Sequence, residues 1–254
     1  MDGYANFEFD LPGALLDRLV NVLDGMDFAT LTPKNAATIP DAQGVYQLFL
    51  DGNLVYIGKT DADAGLKARL ERHAKKIQHR IALNPTRVTF KAVRIYVFTA
   101  IDLETQLIRH YGGAQRVCWN GSGFGSNDPG RERDTSEYKN DHFDVQFPID
   151  IDRPLKVSFL VTLTAIEVLS SIKAISPYVF RFQTAAKRSK KPHPDLANTD
   201  VKMVTNNLIT ARHIIQQVVS QLPEGWQATK LPSHLILYKE IKSYSQGEVI
   251  ARSI

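Results

Sequence analysis

Two β-rich runs separated by a short turn-forming stretch constrain the fold of this chain more than any other feature. Residues 44–50 (GVYQLFL) and 54–58 (LVYIG) flank residues 51–53 (DGN). β-Branched and aromatic residues favour strands, whereas Asp, Gly and Asn favour tight turns. The pattern predicts a β-hairpin over residues 44–58.

The pairing register of this hairpin decides whether its two polar aromatic residues, Tyr46 and Tyr56, share a face. Side chains alternate along a strand, so the two tyrosines lie on one face only if paired residue numbers add to an even sum. A two-residue turn pairs Leu50 with Asn53, an odd sum, whereas a three-residue loop pairs Leu50 with Leu54, an even sum. If the two tyrosines belong to one site they must share a face, so on this hypothesis we expect the three-residue loop.

Helical periodicity and one further β-rich run continue the pattern on both sides of the hairpin. Apolar residues recur at helical spacing over 12–25 and 65–81, and the second stretch carries a basic flank beside its apolar stripe. Residues 88–98 predict a third strand, and Asp102 can cap a following helix that ends near Tyr111. This order predicts an α+β fold with a small antiparallel sheet flanked by helices.

The remainder of the chain is expected to begin with a loop and to continue as helices. Residues 112–150 are rich in Gly, Asn, Asp and Pro and predict an elaborate loop. Residues 155–171 and 201–222 show long helical patterns, separated by a basic tract at 187–194. A late strand is expected at 235–238. We therefore expect an N-terminal helical arm and a C-terminal helical extension around the sheet.

Charge is strongly segregated along the chain although the net charge is only +4. Residues 1–58 carry 2 basic and 8 acidic side chains, whereas residues 59–116 carry 12 basic and 5 acidic side chains. A concentrated basic segment is typical of a protein with a polyanionic partner. Basic residues on solvated helix faces would give the same pattern, so charge alone leaves both interpretations open.

Several classes of protein are excluded by composition. The single cysteine, Cys118, cannot form an internal disulfide, and no pairing of Cys and His has zinc-site spacing. The most apolar stretch, residues 157–169, is interrupted by polar residues and is shorter than the roughly 18 residues of a membrane span. The N-terminus lacks the basic start and apolar run of a signal peptide. We expect a cytoplasmic protein with no membrane partner.

Two short motifs on the predicted hairpin resemble the signature of the GIY-YIG nuclease superfamily. Gly44-Val45-Tyr46 lies on the first strand, with valine in place of the usual isoleucine, and Tyr56-Ile57-Gly58 lies on the second. The rest of that family's pattern follows in the same order as Arg69, Glu104 and Asn120. This resemblance covers residues 44–120 and implies a GIY-YIG nuclease core.

Further residues resemble the type II restriction-endonuclease branch of this superfamily, whose members cut the palindrome CCGCGG. His73 follows Arg69 by four residues, and a loop rich in Gly, Asp and Arg spans residues 123–134. With these features the resemblance extends to about residue 150. It implies a prokaryotic restriction-modification system in which a DNA methyltransferase is the expected partner.

Phosphodiester hydrolysis needs stabilisation of the charge that develops on the phosphate and on the leaving oxygen. Glu104 is the only carboxylate of the matched motifs and can hold one Mg²⁺, with water and phosphate oxygens as the other ligands. Arg69 can clamp a non-bridging phosphate oxygen through its planar guanidinium. We expect one Mg²⁺ ion per active site.

The same reaction needs a base that activates water. Tyr46 is a candidate, but an ordinary tyrosine with a pKa near 10 is protonated at neutral pH, so we expect Lys59 to assist it. Tyr56 and His73 would orient the water or the scissile phosphate, and either could share the role of base. The choice among these three residues stays open, and packing of the tyrosines in the sheet is the structural alternative.

Sequence recognition requires contacts to base edges, which a phosphate-directed site does not supply. In a GC-only site, Arg131 and Arg133 could read guanine, while Asp128 or Asp134 would accept from cytosine or support the arginines. The alternative is an ordinary turn with exposed charges. Candidate contacts to DNA are Lys75, Lys76, Asn120, Asn127, Asp128, Arg131, Arg133 and Asp134.

We therefore expect one elaborated nuclease domain over residues 1–254. It comprises an N-terminal arm (1–40), the GIY-YIG core (41–120), a DNA-recognition loop (121–150) and a helical extension (151–254). The expected function is Mg²⁺-dependent cleavage of double-stranded DNA at a GC-rich palindrome by a homodimer, formed at least on DNA, since each subunit would cut one strand. A repair or homing nuclease of the same superfamily and a non-catalytic DNA-binding module remain alternatives.

Overall fold

A computed structural model describes residues 3–8, 10–60, 64–96, 102–113, 115–159, 162–187, 189–204 and 209–254. The described residues form helices and mainly antiparallel sheets, so the expected α+β class is confirmed. The chain divides into two compact units, unit 1 (Met1–Lys75 and Asn84–Gly125) and unit 2 (Lys76–Leu83 and Ser126–Ile254). Within the described residues, no helix combines the length and apolar character needed to cross a membrane.

Unit 1 contains the predicted hairpin at the centre of its topology. Its elements are α1 (Leu11–Asp24), β1 (Ala29–Thr30), α2 (Pro33–Ala37), β2 (Gly44–Leu50), β3 (Asn53–Lys59), α3 (Leu66–Lys76), β4 (Val88–Arg94) and α4 (Leu103–His110). The last residue of α3, Lys76, belongs to unit 2. The four strands form an antiparallel sheet in the order β1-β4-β2-β3. The expected third strand ends at Arg94, and residues 97–98 lie outside the described residues.

The hairpin turn differs from our expectation. Asp51 and Gly52 both adopt positive φ angles, 52° and 78°, and form a two-residue turn that pairs Leu50 with Asn53. Both central residues of a type I′ turn need positive φ, and Asp-Gly satisfies this requirement at low cost. The predicted three-residue loop is therefore wrong.

The shared face of the two tyrosines is nevertheless confirmed. The register shifts between Leu48 and Phe49, where β3 contains one extra residue, Val55. Beyond this bulge Tyr46 pairs with Gly58, and Leu48 pairs with Tyr56. A bulge adds one residue to one strand and so restores the even sum.

The two faces of this sheet carry different side chains. One face packs Val45 and Ile57 against α1 and α4 in an apolar cluster that includes Leu23 and Leu107. The opposite face presents Tyr46 and Tyr56, which lie against α3. Alternation along β2 and β3 thus directs the polar aromatic residues away from the apolar cluster.

Unit 2 is built on a second sheet, which the sequence did not predict. Its regular elements are α5 (Phe143–Gln146), β5 (Thr162–Thr164), α6 (Ala165–Ile175), β6 (Val179–Phe182), α7 (Pro194–Asn198), β7 (Asp200–Lys202), α8 (Ala211–Val219), β8 (Gln227–Lys230), β9 (His234–Tyr238) and β10 (Glu248–Arg252). Four strands pair in the order β10-β8-β9-β6, with β6 parallel to β9, and β5 pairs with β7. A short 3-10 helix, Gly130–Thr135, precedes them.

The expected helical extension over 151–254 is therefore wrong, although the late strand at 235–238 is confirmed as part of β9. Residues 155–159 are irregular, and 162–164 form a strand before α6 begins. The predicted helix over 201–222 is shortened to α8 and is preceded by β7, while residues 205–208 lie outside the described residues.

Candidate active site

Four rings on the α3 side of the unit 1 sheet form what we call the ring cluster, namely Tyr46, Tyr56, His73 and Phe124. The ring centroids of Tyr46 and Tyr56 lie 6.0 Å apart, and the His73 centroid lies 5.6 Å from Tyr46 and 5.4 Å from Tyr56. Three predicted site residues, the two tyrosines and the histidine, are thus in mutual contact.

A buried hydrogen bond joins two members of the ring cluster. The hydroxyl of Tyr46 lies 2.8 Å from Nε2 of His73, and the two residues are 1% and 0% exposed. Which partner supplies the proton depends on the imidazole tautomer. A neutral imidazole with its proton on Nδ1 accepts the hydroxyl proton of Tyr46, and this is the arrangement in which a histidine can act as a base.

Burial disfavours the ionised form of both tyrosines. It raises the pKa of Tyr46 well above its ordinary value, and the neighbouring Tyr56 raises it further, while the positive charges of Arg69 and Arg72 oppose the shift. Burial also raises the pKa of Tyr56, and the negative charge of Glu104 adds to the effect. Neither tyrosine is an anion at neutral pH, so a base role for either requires a proton acceptor.

Lys59, which we expected to assist Tyr46, contacts Asp102 in the structure. The ammonium of Lys59 is exposed and pairs with Asp102 at 3.0 Å. Hydrogen bonds from Thr105 and Lys59 lower the pKa of Asp102 to about 2. Asp102 caps α4 as predicted, so Lys59 connects the end of β3 to the start of the helix that carries Glu104.

Glu104 lies in the first turn of α4 and is partly buried. Burial raises the pKa of its carboxyl, whereas the charges of Lys59 and Arg69 and a backbone hydrogen bond from Lys59 lower it. Among the described residues, no group of three or more His, Cys, Asp or Glu side chains could hold a metal ion. One carboxylate completed by water and phosphate oxygens is nevertheless an ordinary ligand set for Mg²⁺, so the chemistry of Glu104 fits this ion.

Two glycines that sequence reasoning did not single out as site residues make room for the tyrosine hydroxyls. A Cβ atom at Gly58 would overlap the hydroxyl of Tyr46, and one at Gly125 would overlap the hydroxyl of Tyr56. A missing side chain at a point of close approach is a recurrent use of glycine. The signal for Gly58 was available, because the expected register already placed this residue opposite Tyr46.

Sequence reasoning also missed two further residues that contribute to the site. Arg72 donates a hydrogen bond through Nη2 to the carbonyl of Gly125 at 3.1 Å. Phe124 stacks on His73 with a centroid separation of 4.7 Å and an interplanar angle of 14°. Arg72 directly precedes His73 in α3 but was not among the residues that the helical pattern singled out, and no local pattern indicates that residue 124 reaches the histidine.

Asn120 holds the backbone of the hairpin in this structure. Its side chain accepts from the Ile57 N–H at 2.9 Å and donates to the Ile57 carbonyl at 2.8 Å. These bonds direct its amide at the protein backbone, in contrast to the expected contact with DNA. Of the expected phosphate contacts on α3, Lys75 is exposed, and Lys76 lies over the ring of Phe143, 5.4 Å from its centroid.

The predicted base-reading residues 126–134 belong to unit 2, where one carboxylate anchors them. Asp134 is 4% exposed and accepts hydrogen bonds from Arg181 at 2.7 Å, from Nε2 of His234 at 2.8 Å and from the Tyr238 hydroxyl at 2.8 Å. Arg181 also pairs with Asp128. This burial conflicts with direct acceptance from cytosine, and the arginine that contacts Asp134 is Arg181, whereas Arg131 and Arg133 were the arginines that it was expected to support.

Other polar residues of this segment remain towards the surface. Asn127 and Arg131 are exposed, and Arg133 is partly exposed. The Arg131 guanidinium carbon lies 4.1 Å from the centroid of the Tyr238 ring. A guanidinium stacked on an aromatic ring has a restricted orientation.

Unit 1 therefore combines a buried tyrosine–histidine hydrogen bond with neighbouring charges from Arg69 and Glu104. Such a set can transfer a proton, stabilise negative charge and hold a hard cation. No model of a known protein family and no curated protein matches this chain.

Proposed function

We propose that this protein is a Mg²⁺-dependent endonuclease that cuts double-stranded DNA at a GC-rich palindrome, in the manner of type II restriction enzymes. The observation that carries the proposal is the 2.8 Å contact between Tyr46 and His73, buried beside Tyr56. The resemblance of residues 44–46 and 56–58 to the GIY-YIG signature supports the same interpretation.

His73 is the general base in this proposal, and Tyr46 transmits the proton. Burial is the main cause that raises the pKa of Tyr46, so its phenol does not form an anion at neutral pH. The phenol can give up its own proton only while it gains another proton. The hydroxyl of Tyr46 takes a proton from the attacking water while it passes its own to Nε2 of His73. In this proposal the reaction needs no free phenolate, and His73 is our choice of base among the three candidates.

Arg69 and Glu104 contribute to stabilising the negative charge that develops during the reaction. The guanidinium of Arg69 binds a non-bridging phosphate oxygen and stabilises the charge that develops there. Glu104, with water and phosphate oxygens, would hold Mg²⁺, which when bound supplies further positive charge at the phosphate and the leaving oxygen. Tyr56 donates its hydroxyl proton to orient the water or the phosphate.

Sequence recognition is assigned to the segment that Asp134 anchors in unit 2. Arg131 and Arg133 are the proposed guanine readers, since arginine makes paired contacts with guanine O6 and N7. The exposed Lys75 is proposed to contact phosphate and to add affinity that depends on salt. One site per chain cuts one strand, so we propose a homodimer on the palindrome.

Digestion of DNA by the purified protein tests this function directly. Plasmid incubated with Mg²⁺ should give discrete fragments whose sequenced ends share one palindrome and carry 5′-phosphates. Methylation of that palindrome by the expected partner methyltransferase should protect it. Intact DNA that is retarded in a gel would instead indicate a non-catalytic DNA-binding module, and a smear of fragments would indicate a nuclease of another type.

The size of the complex tests the assembly. A short duplex containing the palindrome should bind two chains in Ca²⁺, an ion that allows binding and suppresses cutting. A stable complex with one chain that still breaks both strands in a single binding event would contradict the homodimer.

A further inference from the structure

The hydrogen bond between Tyr46 and His73 requires a fixed imidazole plane. The χ2 torsion of histidine has broad minima, so the rotamer of the side chain does not by itself set the plane of the ring. The packing of α3 fixes the backbone of His73 and leaves the ring plane to its neighbours. Among these neighbours, Tyr46 and Tyr56 approach at 45° and 61° to the imidazole plane.

Phe124 approaches the imidazole differently. Its ring is nearly parallel to that of His73, at 14°, with centroids 4.7 Å apart, and is 1% exposed. It covers one face of the imidazole, so rotation about χ2 would drive the His73 ring into it.

The position of Phe124 is itself determined by the sheet. Trp119 packs against Phe124 with centroids 4.7 Å apart, and the backbone N–H of Trp119 donates to the Val55 carbonyl of β3 at 2.8 Å. Tyr56 meets the edge of Phe124 at 5.2 Å. A continuous series of contacts therefore runs from the β3 backbone through Trp119 and Phe124 to His73.

We infer that Phe124 is a positioning residue that fixes the imidazole plane of His73 and, through it, the direction of the hydrogen bond to Tyr46. The catalytic consequence rests on the proposed nuclease function, whereas the placement of the ring does not. Phe124 lies at the start of the segment 121–150 that the sequence predicts to read DNA, but it belongs to unit 1, whereas the predicted base-reading residues 126–134 belong to unit 2.

The ring placement is tested by NMR of the His73 imidazole, assigned by comparison with His73→Gln. A stacked phenyl ring shields protons above its face, so the carbon-bound imidazole protons of His73 should resonate upfield in the wild-type protein. Phe124→Leu should remove this shift. Phe90→Leu is the matched control, because Phe90 is a buried phenylalanine of β4 outside the ring cluster, and it should preserve the shift.

The catalytic consequence is tested by single-turnover cleavage of DNA with Mg²⁺. Phe124→Leu should cut roughly 10- to 100-fold more slowly, because misplacement of a catalytic group by about 1 Å costs up to about 100-fold. Its affinity for the duplex in Ca²⁺ should stay within twofold, and Phe124→Tyr, which keeps the ring, should restore most of the rate.

Several outcomes would overturn the inference. An unshifted His73 resonance in the wild-type protein would do so even if Phe124→Leu fails to fold. Equal cleavage rates for Phe124→Leu and Phe90→Leu would remove the catalytic role. If the wild-type protein cuts no DNA, the proposed function fails and the catalytic role with it, while the NMR comparison still decides the placement of the ring.

Discussion

Gly58 pairs with Tyr46 across β2 and β3, and the hydroxyl of Tyr46 occupies the space where a side chain at position 58 would begin. The position of the proposed proton-transferring hydroxyl thus depends on the absence of a methyl group on the neighbouring strand. Backbone pairing and the site are coupled at this point.

Gly58→Ala should therefore displace the Tyr46 ring and weaken its bond to His73. Overpacking of this kind costs typically 1–3 kcal/mol, and we expect a loss of that size in the free energy of unfolding, together with slower cleavage. Chemical denaturation and single-turnover assays measure the two effects. A variant with unchanged stability and unchanged rate would show that the Tyr46 ring can move at no cost.

Tyr46→Phe should keep the ring packing and remove only the hydroxyl that contacts His73. Because general acid–base groups contribute about 10²- to 10⁴-fold, we expect a rate loss in this range with DNA binding retained. Tyr111→Phe is the matched control, since the Tyr111 hydroxyl bonds Asp24 at 2.7 Å, and it should cut normally. Equal rates for the two variants would exclude Tyr46 from proton transfer.

Glu104→Gln should fold and bind the palindrome but should not cut it. The amide keeps the shape of the side chain and loses the charge that a hard cation requires. Cleavage at several Mg²⁺ concentrations, with Glu71→Gln of α3 as control, gives the measurement. Wild-type cleavage by Glu104→Gln would end the assignment of Glu104 as the metal ligand.

Arg131→Gln should reduce discrimination between the palindrome and a single-mismatch site, because a good paired contact with guanine contributes about 1–3 kcal/mol. Lys75→Gln, at the proposed phosphate contact, should instead weaken binding to both duplexes equally and lower the salt dependence. Competition binding in Ca²⁺ separates the two effects. If Arg131→Gln discriminates between the two duplexes as well as the wild-type protein does, Arg131 is not a base-reading residue.

The buried pair of Asp134 and His234 should make the stability of the protein sensitive to acid. Burial lowers the pKa of His234 below its usual value. Burial alone would raise the pKa of Asp134, but hydrogen bonds from His234 and Tyr238 and the charge of Arg181 outweigh it, so this pKa is also lowered. In both cases the folded state holds its protons less tightly than the unfolded chain does.

Stability should therefore be highest above pH 6.5 and should decline as the pH falls, first through the titration of His234 and then through that of Asp134. Each unit of pKa difference corresponds to about 1.4 kcal/mol. Denaturant titrations from pH 8 to pH 4 should show this decline, and His234→Gln should lessen its first part, whereas the exposed His110→Gln should not. Parallel pH profiles for the two variants would argue against His234 as the source.

The shared face of Tyr46 and Tyr56 could be predicted from the hypothesis that they belong to one site, because strand alternation turns that hypothesis into a requirement for an even sum. The turn could not, because a three-residue loop and a two-residue turn followed by a bulge give the same parity. The bulge at Val55 has no local sequence signal that distinguishes it from regular strand.

Contacts between residues that are far apart in the sequence could not be predicted from local patterns. Phe124 reaches His73 from 51 positions further along the chain. The sheet of unit 2 was missed because β8 and β10 are only four and five residues long, and because β6 joins β9 in parallel after a long excursion. Short strands of this kind carry little periodicity.

The hydrogen bonds of Asn120 have a consequence for the behaviour of the protein at high concentration. β3 is the edge strand of its sheet, and an uncovered edge strand is a template on which other chains can add strands and aggregate. The side-chain amide of Asn120 accepts from the N–H of Ile57 and donates to its carbonyl, and the backbone N–H of Trp119 donates to the carbonyl of Val55. The stretch that follows α4 therefore acts as a cover that protects the hairpin bearing the two tyrosines from intermolecular β-pairing.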